Sequence, residues 1–294
     1  MTSTTHGGRA LASRLALLGP ALIMIAATIA VALVMAFLLL PVVALFTYQP
    51  VHDLIHNFGT RVATDAILVS LKTNTIAFAI MIGLGTPVAY VIGRRRFPGR
   101  SVVITIVELP LVMPPAVAGL GLLVAFGRFG LLGQTLTVLG IDLAFTEAAV
   151  VLAILFVASP FYLRGAIAAF EAVDSTVLDV AGTLGAGPLR RMLRVAVPLA
   201  RAGLGAAAAL AFARGVGEFG ATILFAGSIQ GTTQTLPLAV YSLFDANLDQ
   251  AIAIGVLLII VSAAILLASK LVGSWTSSRS TSPSLGEPSS YVQP

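Results

Sequence analysis

Six long runs of apolar residues, separated by short polar segments, follow one another along this chain. They cover residues 15–46, 66–92, 102–126, 147–169, 199–226 and 251–272. Each is as long as, or longer than, the roughly 20 residues with which an α-helix crosses a bilayer, and none alternates with the two-residue period of a barrel strand. The pattern predicts an all-α integral membrane protein with six transmembrane helices.

Polar segments mark the two ends of this membrane region. Residues 1–14 are small and polar, which predicts an N-terminal tail. The first apolar run is about twice the roughly 7–15 residues of a signal-peptide core, so we expect an uncleaved span. Residues 273–294 are rich in Ser and Pro without a hydrophobic period, which predicts a disordered tail. A single membrane domain over 15–272 lies between them.

Composition narrows the class further. The chain is 58% hydrophobic and 10% charged, whereas soluble domains carry about 25% charged residues. Cysteine is absent, so disulfides, thiolate metal sites and cysteine nucleophiles are excluded. The net charge of +5 is compatible with nucleic acid, but orientation in the membrane accounts for it better.

The basic residues collect on one side of the predicted membrane. Six spans place both termini on the same side, and cytoplasmic segments are enriched in Lys and Arg. With the termini inside, only Arg61 and Arg128 fall in outer segments, and Lys72 and Arg214 lie near or within spans. The basic residues of the inner segments are Arg9, Arg14, Arg94, Arg95, Arg96, Arg100, Arg164, Arg190, Arg191, Arg194, Arg201, Lys270 and Arg279. We therefore expect both termini in the cytoplasm.

A polar, basic segment over residues 171–198 interrupts the apolar pattern on this inner side. Its composition predicts a helix over 176–184 with Ser175 as the N-cap. Gly185 and the later Pro188 end that helix, as glycine and proline do beyond a helix C-terminus.

A second basic helix over 189–197 leads from there to Pro198, at the start of the next span. From the residues alone, the segment is either a hairpin whose arginines touch anionic lipid or a docking element for a partner.

The spacing of the basic segment resembles the EAA loop of ABC-importer permeases. In that family, Glu-Ala-Ala is followed after three residues by Gly and, nine residues later, by Ile-x-Leu-Pro. The matching positions here are Asp179, Val180, Ala181, Gly185, Val195, Val197 and Pro198. The resemblance implies a coupling helix that sits in a cleft of an ATP-hydrolysing subunit. The residues implied in coupling are Asp179, Val180, Ala181, Leu184, Gly185, Arg190 and Pro198.

Further stretches narrow the resemblance to the oxyanion branch of these permeases. Residues 108–119 and 213–222 resemble permeases for molybdate, tungstate or sulfate, and 97–99 and 231–241 are most similar to the molybdate permease subunit. The resemblance covers about 65–271. It implies the type I importer architecture, a homodimer, two cytoplasmic ATPase subunits that hold ATP and Mg, and an external binding protein. No cofactor is implied on this chain, and tungstate and sulfate remain open as substrates.

Two acidic residues fall within or beside the spans, where an unpaired charge costs at least a few kcal/mol. Arg214 and Glu218 are four residues apart, so on a helix they share a face and can pair. The pair either braces the fifth span, or Glu218, Phe219 and Gly220 line the pathway and help to form a gate. We expect Glu108 at the cytoplasmic boundary, held by arginines of the 94–100 turn.

Prolines interrupt the third span. Pro110, Pro114 and Pro115 produce either a packing kink or a discontinuous helix whose free N–H groups face the pathway. Gly119, just beyond, allows close helix packing. The polar run 73–75 in the second span is read as interhelical hydrogen bonding in preference to pathway lining.

No catalytic or metal site emerges from the motifs. The chain has no G-x-x-x-x-G-K-[ST] phosphate loop and no nucleophile–base pair, so it is expected not to be an enzyme. His52 and His56 are four residues apart without a third ligand, and we expect no metal. The competing functions are a stand-alone proton-coupled transporter that uses Glu108 or Glu218, and a membrane scaffold.

Overall fold

Helices account for nearly all of the structure. A computed structural model describes residues 6–277, and it describes the side chains of residues 22–265 and of Leu267. The helices in these residues are α1 (His6–Thr47), α2 (Val51–Phe58), α3 (Arg61–Arg94), α4 (Arg100–Val112), α5 (Pro115–Phe126), α6 (Gly133–Val138), α7 (Glu147–Glu171), α8 (Ser175–Thr183), α9 (Pro188–Arg191), α10 (Val197–Val216), α11 (Gly220–Phe225), α12 (Leu236–Leu243) and α13 (Leu248–Ser277). A π-helical turn, Met192–Ala196, joins α9 to α10.

The predicted spans correspond to these helices. Five of the described helices are long and apolar enough to cross a membrane, and the bent pair α4–α5 makes a sixth span if it is counted as one. The all-α, six-span prediction is confirmed at this level. The chain divides into two compact units, 1–54 and 55–294, of which the second holds every helix from α3 onward. The predicted disordered tail lies mostly outside the described residues, as do residues 1–5 of the N-terminal tail.

Two consecutive prolines break the third span. The axes of α4 and α5 differ by 113°, and Met113 and Pro114 between them are extended, with ψ of 131° and 135°. A residue that precedes proline is driven out of the helical region by the proline ring, and both of these residues precede one. Pro115 then starts α5 at the position where its missing N–H costs nothing.

The fifth span is shorter than predicted. Its helix ends at Val216, and Gly217–Phe219 separates it from the short helix α11. The prediction of one helix over 199–226 is therefore wrong at its C-terminal end. Glycine is among the weakest helix formers, and Gly215 and Gly217 lie at the break. Glu218 then accepts the N–H of Ala221 with its Oε1 at 2.8 Å, which supports the start of the new helix.

Two connections have more local structure than expected. The amphipathic pattern over 235–244 predicts a short helix, and α12 forms there. The glycine-rich composition of 127–146 predicts a loop, and the structure has the short helix α6 within it. The polar segment 48–65 before the second span likewise contains all of α2 and the start of α3.

Helix α7 is the central element of the second unit. More than half of its apolar window is buried, the largest fraction among the candidate spans. Tyr162 joins it to α3 through a 2.6 Å hydrogen bond with the hydroxyl of Thr86. Near the C-terminal end of α7, the rings of Tyr90 and Phe170 meet edge to face, with their centroids 5.4 Å apart.

Small residues bring α7 and α10 into close contact. A Cβ atom added at Gly165 would lie 2.6 Å from the Cβ of Ala207, and one added at Gly203 would lie 2.6 Å from the Cβ of Ala169. The order of these contacts makes the two helices antiparallel. Each helix thus carries a small residue, three intervening residues and a second small residue, the spacing with which membrane helices approach closely.

This contact predicts an asymmetric response to valine along α10. Gly203→Val should lower the free energy of unfolding by about 1–3 kcal/mol, because the new side chain forces the helices apart. Gly205→Val is the matched control. It makes the same change in helix propensity as Gly203→Val, but a Cβ atom at position 205 meets nothing within 4 Å. Thermal unfolding of the purified protein in detergent measures both, and an equal loss in the two variants would contradict the packing explanation.

Candidate coupling and pathway sites

Helix α8 of the basic segment starts one residue earlier than the sequence predicts. Its N-cap is Asp174, whose Oδ1 accepts the N–H of Thr176 at 2.8 Å, so the prediction of Ser175 as N-cap is wrong. Hydrogen bonding from Thr176 lowers the pKa of Asp174, with a small contribution from the positive charge of Arg94. A lowered pKa keeps this carboxylate ionised at neutral pH, and the ionised form is the better cap.

Gly185 terminates α8, as predicted, although the last helical residue is Thr183 and Leu184 is the C-cap. Gly185 has φ of +83°, in the left-handed region that only glycine adopts without strain. The N–H of Gly185 bonds to Gly182 O at 3.0 Å, and that of Ala186 bonds to Ala181 O at 3.0 Å. This pair of bonds is the Schellman motif, which satisfies the last carbonyls and turns the chain sharply away from the helix.

One face of α8 is apolar and exposed. Val177, Val180 and Leu184 follow the helical i, i+3, i+7 spacing, and their side chains are 43%, 52% and 83% exposed. Leu178 points the other way and is buried, whereas Asp179 is exposed beside the stripe. Ala181 is half-buried. Exposed apolar side chains at this spacing, on a segment that is otherwise polar, are typical of a surface that binds another protein or a membrane.

The chain that follows α8 packs closely against it. The guanidinium group of Arg191 lies 3.2 Å from where a Cβ of Gly182 would be, so α8 and α9 are in contact there. Arg190 is exposed. Pro198 lies in the first turn of α10 and has no N–H to donate, and the π turn before it accommodates this loss, with the N–H of Val197 bonding to Met192 O. The predicted basic helix therefore runs directly into the span.

The breaks in the third and fifth spans lie against one another. A Cβ at Gly119 would approach Ala221 O to 2.6 Å, and a Cβ at Gly220 would approach the Cβ of Pro115 to 2.7 Å. Helices α5 and α11 therefore pack at backbone distance. The structure thus brings Pro115, Gly119 and Gly220 together, with Pro114 in the break itself and Pro110 inside α4.

An ion pair supports this junction. Arg214 Nη1 lies 2.7 Å from Glu218 Oε2, as the four-residue spacing predicts. The Glu218 side chain is 1% exposed and also caps α11, whereas Arg214 is 29% exposed. The rings of Phe219 and Tyr241 are in tilted contact, with their centroids 5.2 Å apart.

Glu108 has a different partner from the one expected. Its Oε1 lies 3.5 Å from Arg164 Nε on α7. Arg100, in the turn that was expected to hold Glu108, instead pairs with Glu171. The expectation is wrong because α4 rises beside α7, which carries Glu108 away from the turn and towards Arg164.

A further ion pair was not recognised from the sequence. Lys72 Nζ on α3 lies 2.6 Å from Glu147 Oε2 at the start of α7. The neighbouring polar run bonds within its own helix: Thr73 to Val69 O, Asn74 to Ser70 O and Thr75 to Leu71 O. Those hydroxyl and amide groups are satisfied within the helix and form no interhelical hydrogen bond among the described residues.

Within the described part of the chain, no group of three or more His, Asp or Glu side chains is arranged to hold a metal ion. His52 contacts the neighbouring Asp53 at 3.3 Å. The features of the described residues that bear on function are therefore the exposed stripe on α8 and the junction where the breaks in the third and fifth spans meet.

The family is identified by comparison with known proteins. Residues 81–278 match the family described as "Binding-protein-dependent transport system inner membrane component". The chain is 43% identical over 210 residues to the molybdenum transport system permease protein ModB of Mycobacterium tuberculosis, covering 71% of this chain and 79% of the relative. It is 38% identical over 212 residues to the protein of the same name in Escherichia coli, covering 72% and 92%.

A sulfate permease is also similar. The sulfate transport system permease protein CysW of Synechococcus elongatus is 36% identical over 186 residues, covering 63% of this chain and 65% of the relative. Among solved structures, a chain of a bacterial alginate ABC transporter in complex with a pentasaccharide-bound periplasmic protein has the same fold. Its TM-score is 0.66 at 16% identity, and the alignment covers 90% of this chain and 96% of that one.

The fold is therefore that of a type I permease, and the chain belongs to the family of binding-protein-dependent transport system inner membrane components, the non-catalytic permease subunits of ABC importers.

Proposed function

We propose that this chain is the permease subunit of an importer that passes molybdate from an external binding protein into the cytoplasm. Two copies form the pathway, and two ATPase subunits that hold ATP and Mg bind their cytoplasmic faces. Both termini are cytoplasmic, because that orientation places nearly all basic segments inside. The observation that carries the substrate is the 43% identity over 210 residues to a permease named for molybdenum transport.

Coupling is supported by the exposed stripe on α8. In the proposed complex, Val177, Val180 and Leu184 insert into a cleft of the ATPase, and the sharp turn at Gly185 lets the chain leave the cleft. Docking buries apolar side chains that water otherwise surrounds, which stabilises the complex by roughly 1.5–3 kcal/mol for each one that is fully buried. Asp179 and Arg190 flank the stripe and provide charged contacts at its rim.

Movement of α8 passes to the spans through α7 and α10. The basic segment connects these two helices, and they pack so closely at Gly165 and Gly203 that they move together. Nucleotide binding draws the ATPases together and displaces α8, and the displacement turns the pathway outward to receive the anion.

The junction of the two breaks is the proposed gate. Helix α5 begins after a proline-induced break, so its first N–H groups have no partner within the helix. Such donors suit a passing oxyanion, because they bind it without the strong attraction of an unpaired cation. Glu218 does not bind the anion; it neutralises Arg214 and holds α11 in place.

Sulfate is the second candidate substrate, because the CysW relative is a sulfate permease by name. Molybdate, tungstate and sulfate are tetrahedral dianions of similar shape, and the described spans offer no dense cationic site to separate them. Selectivity among them belongs mainly to the external binding protein.

Docking predicts that charge on the α8 stripe separates the ATPase from the permease. The double variant Val180→Lys and Leu184→Lys should weaken ATPase association on the order of tenfold or more, since the lost apolar burial exceeds about 1.4 kcal/mol. Thr176→Lys with Thr183→Lys adds the same charge to the same helix beside the stripe but leaves its apolar side chains in place, and it should have a much smaller effect. Co-purification and binding titration measure both, and equal retention of the ATPase by the two variants would refute docking through this face.

The gate predicts a variant that separates ATP hydrolysis from transport. Gly119→Ala places a methyl group against Ala221 O and should lower uptake in proteoliposomes by roughly tenfold, while the ATPase still binds and hydrolyses ATP. At Gly121, where a Cβ meets nothing within 4 Å, the same substitution should leave uptake near wild type. Uptake that is unchanged in the Gly119 variant would remove this junction from the pathway.

The substrate assignment predicts an order of competition. In a reconstituted importer with its binding protein, uptake of radiolabelled molybdate should require ATP and should be blocked by excess unlabelled molybdate or tungstate more strongly than by sulfate. Stronger inhibition by sulfate would move the assignment to sulfate. Uptake that is driven by a proton gradient without ATP would overturn the importer proposal.

A further inference from the structure

A basic cavity lies where the α3–α4 turn meets the start of α8. Its volume is about 440 Å³, and most of its lining surface is polar. The cavity is lined by Gly93, Arg94, Arg95, Arg96, Arg100, Glu171 and Ser175. Four guanidinium groups thus share one cavity with a single carboxylate. This cavity is distinct from the apolar stripe on α8 and from the junction of the two breaks.

Two of these arginines are held in place by the protein. Arg94 Nη1 donates to Val173 O at 2.7 Å, and Arg100 Nε donates to Ile92 O at 2.8 Å. Arg100 also pairs with Glu171, so the one carboxylate that lines the cavity is already engaged in an ion pair. These bonds fix the frame of the cavity, because they join the turn after α3 to the end of α7.

The guanidinium groups of the other two arginines are without a partner among the described residues. Arg95 and Arg96 are exposed, and neither side chain forms a hydrogen bond or an ion pair there. Each guanidinium group has five N–H donors in a planar fork that matches two oxygens of a phosphate group. Neighbouring unpaired arginines raise the local positive potential, and a bound anion relieves their repulsion.

The backbone adds to the same potential. Arg100 is the first residue of α4, and Ser175 is the first residue of α8, so two helices begin at this cavity. The positive end of a helix dipole lies at its N-terminus, where N–H groups are free to donate. The carboxylate of Asp174 already caps one of the two ends, at Thr176.

We propose that this cavity is a binding site for a tetrahedral phosphate group, held in its mouth by Arg95 and Arg96 and backed by Arg94 and Arg100. The group belongs either to an anionic phospholipid at the membrane surface or to a soluble phosphate. The bound anion ties the α3–α4 turn to the base of α8 and thereby stiffens the helix that docks the ATPase. The cytoplasmic placement of the site rests on the proposed function; the binding itself does not.

Thermal unfolding of the full chain in a neutral detergent tests the proposal, because a ligand that binds only the folded state raises the unfolding midpoint. Inorganic phosphate is one probe, and dihexanoyl-phosphatidylglycerol is the other. Dihexanoyl-phosphatidylcholine has the same tails without net charge, and sodium chloride at matched ionic strength controls for screening. The ATPase and the transported anion are left out, so a failure of the importer proposal would not alter the result.

The variants separate the cavity from charge in general. Arg95→Gln with Arg96→Gln should raise the apparent dissociation constant of the binding probe on the order of tenfold or more, because hydrogen bonds to a charged partner are lost. Arg95→Lys with Arg96→Lys keeps the charge but loses the planar fork, and it should fall between that variant and wild type. Arg61→Gln with Arg128→Gln removes the same charge elsewhere and should bind as wild type does.

The outcomes are distinct. Stabilisation by phosphatidylglycerol but not by phosphate supports the site and assigns it to lipid, whereas comparable stabilisation by inorganic phosphate supports it as a site for soluble anions. The proposal is overturned if neither probe stabilises the protein beyond sodium chloride and phosphatidylcholine. It is also overturned if the glutamine variant, with an unchanged midpoint in the absence of probe, titrates like wild type.

Discussion

Close contact between α7 and α10 is the interaction on which the rest of the second unit depends. Apolar side chains gain little by leaving lipid for another helix, so membrane helices associate where small residues let their backbones approach. Gly165 and Gly203 provide that approach, each against an alanine of the other helix. The basic segment that carries α8 is the chain between these two helices. A force on α8 is therefore applied to a pair of helices that are closely packed against each other.

Charge within the spans is arranged under a second constraint. Lone charges are costly in lipid, and the described spans place their deeper cations against carboxylates on α7, α4 and the α10–α11 break. For the proposed passage of a dianion, this arrangement has a functional consequence. Cations that are paired with carboxylates hold the helices together, and they do not create a site that binds the anion tightly enough to trap it. Arg95 and Arg96, which form no ion pair within the described residues, lie just beyond the end of α3 and line an open cavity.

Local features were predicted well because they depend on neighbouring residues. The positions of the spans, the end of α8 at Gly185, the short helix α12 and the Arg214–Glu218 pair all follow from patterns within a few turns. The errors have local and non-local causes. Ser175 and Asp174 are both good caps, and the hydrogen bond to Thr176 selects Asp174. The fifth span stops early because α11 packs on α5, a partner distant in the sequence.

By itself, the sequence determined that the chain is a bundle of membrane helices, which basic segment interrupts them as the candidate docking element, and where prolines break the third span. These properties arise from hydrophobic length, helix termini and the geometry of residues before proline, all of which are local. Only the tertiary structure decided that Glu108 meets Arg164, that Lys72 meets Glu147, and that the two broken spans lie together. Such contacts join residues far apart in the chain, and they depend on which helix faces pack, a choice that hydrophobic periodicity does not specify.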